Sequence, residues 1–195
     1  MDEVEVTPPC TVKGNPDCEG CDISGRLMCR FEHRDLLAFA GGFVPFAVVS
    51  VSGLVLGGYG VFLLGWLAYA VFFFFIWEAR VLCRHCPYWA GDGRVLRCHA
   101  NYGVIKLMGY EPTPISRLEG FQFVSGAVLL VGYPFPFLIT GGQLTLSAIA
   151  VLMGALFGLL LWTRSCSRCV NFSCPLNHVP DQIMDRYLEK NATGG

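Results

Sequence analysis

Two stretches of this chain, residues 36–77 and 120–163, contain no charged side chain, histidine or asparagine, and only Gln122 and Gln143 interrupt the second. No other property limits the fold so tightly. A helix crosses the hydrocarbon core of a bilayer with about 20 apolar residues. Blocks of 42 and 44 residues are each too long for one span and sufficient for two. Each has a glycine-rich midpoint, Gly57-Gly58-Tyr59-Gly60 in the first and Gly141-Gly142 in the second. The pattern predicts an all-α integral membrane protein, with four transmembrane helices arranged as two hairpins and spans near 37–56, 60–77, 120–139 and 144–163. Charged residues make up 15 % of the 195 residues, where a soluble domain carries about a quarter. A water-soluble fold of this length cannot bury that much apolar surface.

The basic residues orient the spans. All 14 Lys and Arg lie in residues 1–35, 78–119 or 164–195, and the two midpoint turns have none. Arg26, Arg30 and Arg34 precede the first span, Arg80 and Arg84 follow the second, Arg117 precedes the third, and Arg164 and Arg168 follow the fourth. The excess of basic residues on the cytoplasmic side of membrane proteins then places both termini and the central segment in the cytoplasm of a cell in whose plasma or inner membrane the chain sits. The expected organisation is a cysteine-rich cytoplasmic arm (1–35), hairpin 1 (36–77), a cysteine-rich cytoplasmic loop (78–119), hairpin 2 (120–163) and a cysteine-rich cytoplasmic tail (164–195). Met1-Asp2-Glu3-Val4-Glu5 is acidic where a signal peptide is basic, so the arm is expected to remain in the mature chain.

All ten cysteines fall in those segments: Cys10, Cys18, Cys21 and Cys29; Cys83, Cys86 and Cys98; Cys166, Cys169 and Cys174. In a reducing cytoplasm ten cysteines are not five structural disulfides, and metal ligation or redox chemistry is the expectation. The arm offers four soft ligands, enough for tetrahedral zinc or an iron–sulfur cluster. A bound metal would supply folding energy to a segment with few apolar residues. His85 or His99 could complete a three-cysteine, one-histidine site in the loop, and His178 could do so in the tail. Another grouping joins the two Cys-x-x-Cys pairs into one four-cysteine site clamping the hairpins. His33 reads as a surface or packing residue. Arg80, Arg84, Arg94, Arg97, Arg164 and Arg168 would stabilise thiolates or anchor to anionic lipid headgroups.

The halves share an order of features: Trp77, Arg80, Cys83, Cys86 and Cys98 in one, Trp162, Arg164, Cys166, Cys169 and Cys174 in the other. A parallel internal duplication produces this pattern. Gly53 and Gly57, with Ala150, Gly154 and Gly158, form small-residue stripes suited to packing inside the bundle. Pro45 and the run Gly132-Tyr133-Pro134-Phe135-Pro136 predict kinks whose freed carbonyls need partners. Ser116 and Glu119 fit a capping box at the start of the third span. Ile183, Met184, Tyr187 and Leu188, behind Pro180-Asp181, predict a short amphipathic helix on the membrane face.

Several classes are disfavoured. No Cys-x-x-Cys is followed by His, which argues against covalent haem attachment. The bacterial ferredoxin run of cysteines is absent. No phosphate-binding glycine loop occurs, and no nucleic-acid partner is expected. With only Tyr as an ionisable residue inside the expected spans, a proton or ion path through the bundle is not indicated.

The layout resembles the four-helix iron–sulfur quinol dehydrogenases of periplasmic nitrate reduction, which carry cytoplasm-facing Cys-x3-Cys-Pro motifs after membrane helices. The matching residues are Cys83, Cys86 and Pro87, and Cys169, Cys174 and Pro175, at spacings that differ from that family's; a ferredoxin-like tail is missing. That likeness implies cytoplasmic iron–sulfur clusters exchanging electrons with a quinone. Arg84-His85-Cys86 is also similar to the Asp-His-His-Cys core of protein palmitoyltransferases, without its acidic residue and first histidine. It would make Cys86 an acyl-accepting nucleophile and His85 its base.

Taken together, the residues predict a polytopic membrane protein that binds metal, as an iron–sulfur cluster or zinc, through clustered cytoplasmic cysteines, with membrane-associated electron transfer as its function. The expected partners are the lipid bilayer and a quinone or redox protein subunit. The alternatives are a non-catalytic zinc-stabilised membrane scaffold or assembly factor, and a quinone-linked thiol–disulfide oxidoreductase with its cysteines in the periplasm.

Overall fold

A computed structural model describes residues 9–12 and 20–192 of the chain. The described residues are helical or irregular, with no strand beyond two isolated bridges, Ser24 with Leu27 and Val95 with Ile105. Four helices are long and apolar enough to cross a membrane: α1 His33–Leu56, α2 Gly60–His85, α3 Arg117–Thr140 and α4 Leu144–Cys166. A fifth, α5, covers Asp181–Ala192. Large apolar side chains such as Leu64, Val128 and Leu159 face outward on the bundle, an arrangement stable in lipid and costly in water.

Every long helix outruns the span expected from its uncharged block. The blocks mark the apolar slab, and exposed charged residues such as Arg34 and Arg80 on turns beyond it reach water without ending the helix. α1 therefore begins at His33, through Arg34 and Asp35, and stays helical across Pro45. α2 continues past Trp77 to His85, which brings Glu78 inside a membrane helix. Glu78 is buried in this continuation, one residue past the span expected at 60–77, and the expected spans themselves hold no ionisable side chain but Tyr. α3 starts at the predicted capping box: Glu119 N donates to Ser116 Oγ and Ser116 N donates to Glu119 Oε2.

Small residues set the helix spacing. A Cβ on Gly53 would lie 2.9 Å from Leu138 Cγ, and one on Gly141 would lie 2.9 Å from Gly57 Cα. These glycines let α1 and α3 touch at the turn end of the bundle, while Ala150 is fully buried and Gly154 faces Phe46. Both stripes are used inside the bundle at these positions.

α2 also donates hydrogen bonds along α3. Trp77 Nε1 reaches Gln122 O at 3.3 Å, Tyr69 OH reaches Gly126 O at 3.1 Å and Trp66 Nε1 reaches Leu130 O at 2.8 Å. The last of these answers a question posed by the sequence. Pro134 has no N–H for the carbonyl four residues back, and the indole of Trp66 supplies the missing donor.

The polar segments pack into a cap at one end of the bundle. Its core includes Trp89, Leu96, Val104, Val170 and Tyr187, all buried. The arm is tied to the loop by Tyr88 OH donating to Met28 O at 2.6 Å, and to the tail by Met28 N donating to Arg168 O at 2.7 Å. α5 lies over the arm. Its Tyr187 OH is 2.6 Å from Thr11 Oγ1, its Asn191 Oδ1 accepts from Cys10 N at 2.7 Å, and Arg186 and Lys190 pair with Asp22. Ile183 and Tyr187 thus pack on the cysteine-bearing cap, and they do not form the membrane-docking face expected of this helix.

Candidate functional site

The cap closes over a cavity of about 310 Å³ that extends into the bundle. Six cysteines line it: Cys83, Cys86 and Cys98 from the α2–α3 segment, and Cys166, Cys169 and Cys174 from the end of α4 and the tail. The helices deliver them in a related way. α2 widens into a π turn over Phe73–Trp77, six residues before Cys83, and α4 into one over Leu161–Cys166 that includes the first cysteine of its Cys-x-x-Cys. π turns inside α-helices concentrate at functional sites, and their recurrence here is a structural echo of the repeated sequence order.

The cavity has two characters. On the cap side are the thiols, His99, Asn101 and Asn171; on the bundle side are Phe39, Phe43, Phe73, Phe123 and Phe157. Along α4 the lining runs from Gly154 to Cys166, twelve residues apart and therefore about 18 Å along the helix.

The asparagines hold the sulfur end together. Asn101 Nδ2 lies 3.1 Å from Phe74 O and 3.4 Å from both Glu78 Oε2 and Cys83 Sγ. Asn177 Nδ2 donates to Cys169 O at 2.7 Å and to Asn171 O at 3.0 Å. Asn171 Nδ2 reaches Leu82 O at 3.5 Å, while its Oδ1 is buried without a donor.

Electrostatics separates the thiols. Burial pushes Cys86 well above the ordinary thiol range, and the nearby Cys169 and Cys98 raise it further. Burial likewise raises Cys169, and it pushes Cys174 up to about 11. Cys98 goes the other way. Burial opposes its charge, but the hydrogen bond and charge of His99, with the backbone N–H groups of Ala100 and Asn101, prevail and hold it below its usual value. His99 is raised in turn: desolvation works against its cation, and the Cys98 thiolate, 3.9 Å from Nδ1, outweighs that. A bound metal cation reverses the cost for the remaining thiols, because coordination deprotonates them.

The other histidines are turned elsewhere. His85 Nδ1 lies 2.8 Å from Thr113 O, and its Nε2 accepts from Arg84 Nε at 3.1 Å and lies 3.6 Å from Glu119. Both ring nitrogens are engaged on the α3 side, and His85 is absent from the cavity lining. His178 stacks on Trp162 with ring centroids 4.2 Å apart. His33 packs edge-on against Phe31. Of the three candidate histidine ligands, only His99 joins the thiols.

The arm cysteines form an outer group. Cys10, Cys21 and Cys29 pack against the cap core, as does Cys98, and Cys18 lies outside the described residues. Tyr88 and Tyr187 are buried in the same cap core against which these cysteines pack. As the side chains lie, no three Cys, His, Asp or Glu among the described residues are close enough together to hold a metal ion.

Glu78, Asn101 and Asn171 were not singled out in the sequence. Glu78 stands at the first position after an uncharged block, and each asparagine lies within three residues of a cysteine. Neither fact distinguishes a cavity wall from a loop.

Comparison with protein-family models, with curated proteins and with solved structures yields no significant match.

Proposed function

We propose that the chain is a multi-pass membrane protein of two helical hairpins, with its cysteine-rich segments on the cytoplasmic side, that binds an iron–sulfur centre and transfers electrons at the membrane face. One observation carries this reading: six cysteines, drawn from segments on either side of α3, line a single cavity at the end of the bundle. Cys83, Cys86, Cys98, Cys166, Cys169 and Cys174 are its candidate ligands, and His99 is the candidate histidine. The arm cysteines Cys10, Cys18, Cys21 and Cys29 are the candidate ligands of a second centre. The distribution of the basic residues supports the orientation.

The number of thiols favours a polynuclear centre over a lone ion: a structural zinc takes four ligands, and ten cysteines lie outside the two uncharged blocks. A cluster distributes its cysteines over several irons. Such a centre would supply one-electron redox chemistry. The chain's own contribution is a desolvated pocket, asparagines that fix the motif backbones, and the His99 imidazole beside Cys98, which lowers the cost of ionising that thiol.

A zinc-stabilised scaffold is the second reading. It is favoured by the way arm, loop, tail and α5 pack as one cap. Anaerobic purification separates the two. Electron transfer predicts a brown protein with broad visible absorbance, iron and acid-labile sulfide. Colourless protein with stoichiometric zinc overturns it in favour of the scaffold, and protein with neither metal overturns both.

A further inference from the structure

We infer that residues 2–7 add as a third, antiparallel strand to an open edge of the cap. This surface is separate from the thiol-lined cavity, and the inference holds whichever metal the thiols take. The edge belongs to the segment between α2 and α3. Leu96 N donates to Val104 O at 2.8 Å, Gly103 N to Leu96 O at 3.0 Å and Lys106 N to Arg94 O at 2.9 Å. Residues 94–97 and 103–106 thereby form a short antiparallel ribbon. Its inner face is buried through Leu96 and Val104. Its outer face is not: Val95 is 46 % exposed, Ile105 opposite it 53 % and Leu107 70 %.

The ribbon's hydrogen bonds lie on either side of the Val95–Ile105 pair, so the N–H and C=O of Val95 point away from Ile105. Neither group has a backbone partner among the described residues. An open edge beside exposed apolar side chains is the kind of surface that takes up an extended segment. Arg94 and Arg97 are exposed on the same strand, and neither pairs with a carboxylate among the described residues. A segment that fits is extended, carries apolar side chains at alternate positions and is acidic.

The start of the chain has this character. Glu3-Val4-Glu5-Val6-Thr7 alternates polar and apolar residues, with Asp2 before it and Pro8-Pro9 after it. Residues 1–8 lie outside the described residues, but the point at which they join is described. Val12 N donates to Pro9 O at 3.0 Å. A Cβ on Gly91 would lie 3.3 Å from Val12 Cγ1 and 3.7 Å from Lys106 Nζ, so this part of the arm sits where the ribbon begins. Running from there toward Arg97, the segment is antiparallel to residues 91–97. At about 3.3 Å per residue both stretches are about 20 Å long. With Val4 opposite Val95, Asp2 falls opposite Arg97 and Glu5 opposite Arg94, and Asp2, Val4 and Val6 share the outer face with Val95. Pro8, which has no N–H, ends the pairing opposite Gly91. A single register thus meets the open backbone groups, the apolar face and both guanidiniums. Residues 94–97 lead directly into Cys98-His99, so the added strand steadies one wall of the thiol-lined cavity.

Hydrogen exchange of the full chain, resolved to single amides by mass spectrometry, tests the inference. The Val95 amide is expected to exchange about tenfold more slowly in wild type than in a chain lacking residues 2–7. The Leu96 amide, bonded within the ribbon, is the internal reference. Val4→Pro removes an N–H aimed at Val95 and is expected to accelerate Val95 about tenfold. Glu3→Pro, whose N–H points outward in this register, is expected to leave the wild-type rate. Glu5→Arg is expected to accelerate Val95 about two- to fivefold, and Arg94→Glu in the same chain to restore protection. Equal Val95 exchange with and without residues 2–7 overturns the inference, whether the edge is open in both or covered in both by lipid or a second copy. Equal acceleration by Glu3→Pro and Val4→Pro overturns the strand pairing. Neither result depends on metal content, which bears on the proposed centre alone.

Discussion

Truncating Tyr187 to alanine tests how the cap holds the outer cysteines. The ring is 2 % exposed, packs edge-on against Phe172 at 5.3 Å, and its hydroxyl is 2.6 Å from Thr11 Oγ1. Removing a buried aromatic side chain costs about 3–5 kcal/mol. Each 1.4 kcal/mol is a factor of ten. If α5 and the arm open as one local unit, opening rises by about two to three and a half orders of magnitude. Pulsed alkylation of metal-free protein, read by mass spectrometry, reports the rates at Cys10 and Cys21. Both are expected to accelerate by at least about a hundredfold in Tyr187→Ala. Tyr187→Phe keeps the ring and loses one hydrogen bond, so about a five- to tenfold increase is expected. Asp22→Asn breaks only exposed ion pairs with Arg186 and Lys190, which water and salt screen, and its rates stay near wild type. Wild-type rates at Cys10 and Cys21 in Tyr187→Ala would refute the docking of the arm by α5.

Three further outcomes follow from the same geometry. Alkylation of Cys98 is expected to begin at a lower pH than that of Cys174, whose thiol is pushed up to about 11, and His99→Ala should move the Cys98 onset upward by removing the imidazole's hydrogen bond and charge and leaving only the backbone N–H groups against burial. The sign is fixed by linkage: the depressed Cys98 contributes stability above the ordinary thiol pKa that is lost as pH falls through its folded value, whereas the raised His99 contributes below the ordinary imidazole pKa and loses it as pH rises through its own; equal onsets at Cys98 and Cys174 contradict the pair. Gly126→Val places a Cβ 2.6 Å from Phe73 Cε2, so a loss of about 1–3 kcal/mol, read as a lower unfolding temperature in detergent, is expected, and an unchanged midpoint refutes the close packing of α2 on α3. In intact cells an impermeant maleimide is expected to label no cysteine until the membrane is permeabilised; labelling beforehand reverses the orientation and revives the periplasmic thiol–disulfide reading.

The sequence shows its membrane helices plainly because lipid imposes one rule on every residue of a span. An uncharged block betrays two helices whatever they pack against, and the Ser116–Glu119 capping box is equally local. Helix ends were less legible, since Arg34 and Glu78 lie on turns beyond the apolar slab while remaining helical. The cavity needed the fold. The sequence placed Cys86 and Cys169 either in separate sites or in one joint site, and the fold brings both to one cavity. The histidines show the same limit. His85 stands beside Cys86 in sequence but turns toward Thr113, while His99 faces the thiols. Partner choice of this kind depends on tertiary contacts that spacing does not encode. The roles of Pro134 and Trp66 were half visible: the missing donor could be read from the proline, its substitute could not.

X-ray absorption at the iron and zinc edges, on protein purified without oxygen, tests the central claim most directly. The account predicts iron with a sulfur first shell and a second shell of iron, both lost together in a Cys86→Ser, Cys169→Ser variant whose helix content is unchanged. Zinc alone in a four-sulfur shell at about 2.3 Å, or iron bound only by oxygen and nitrogen, would contradict it.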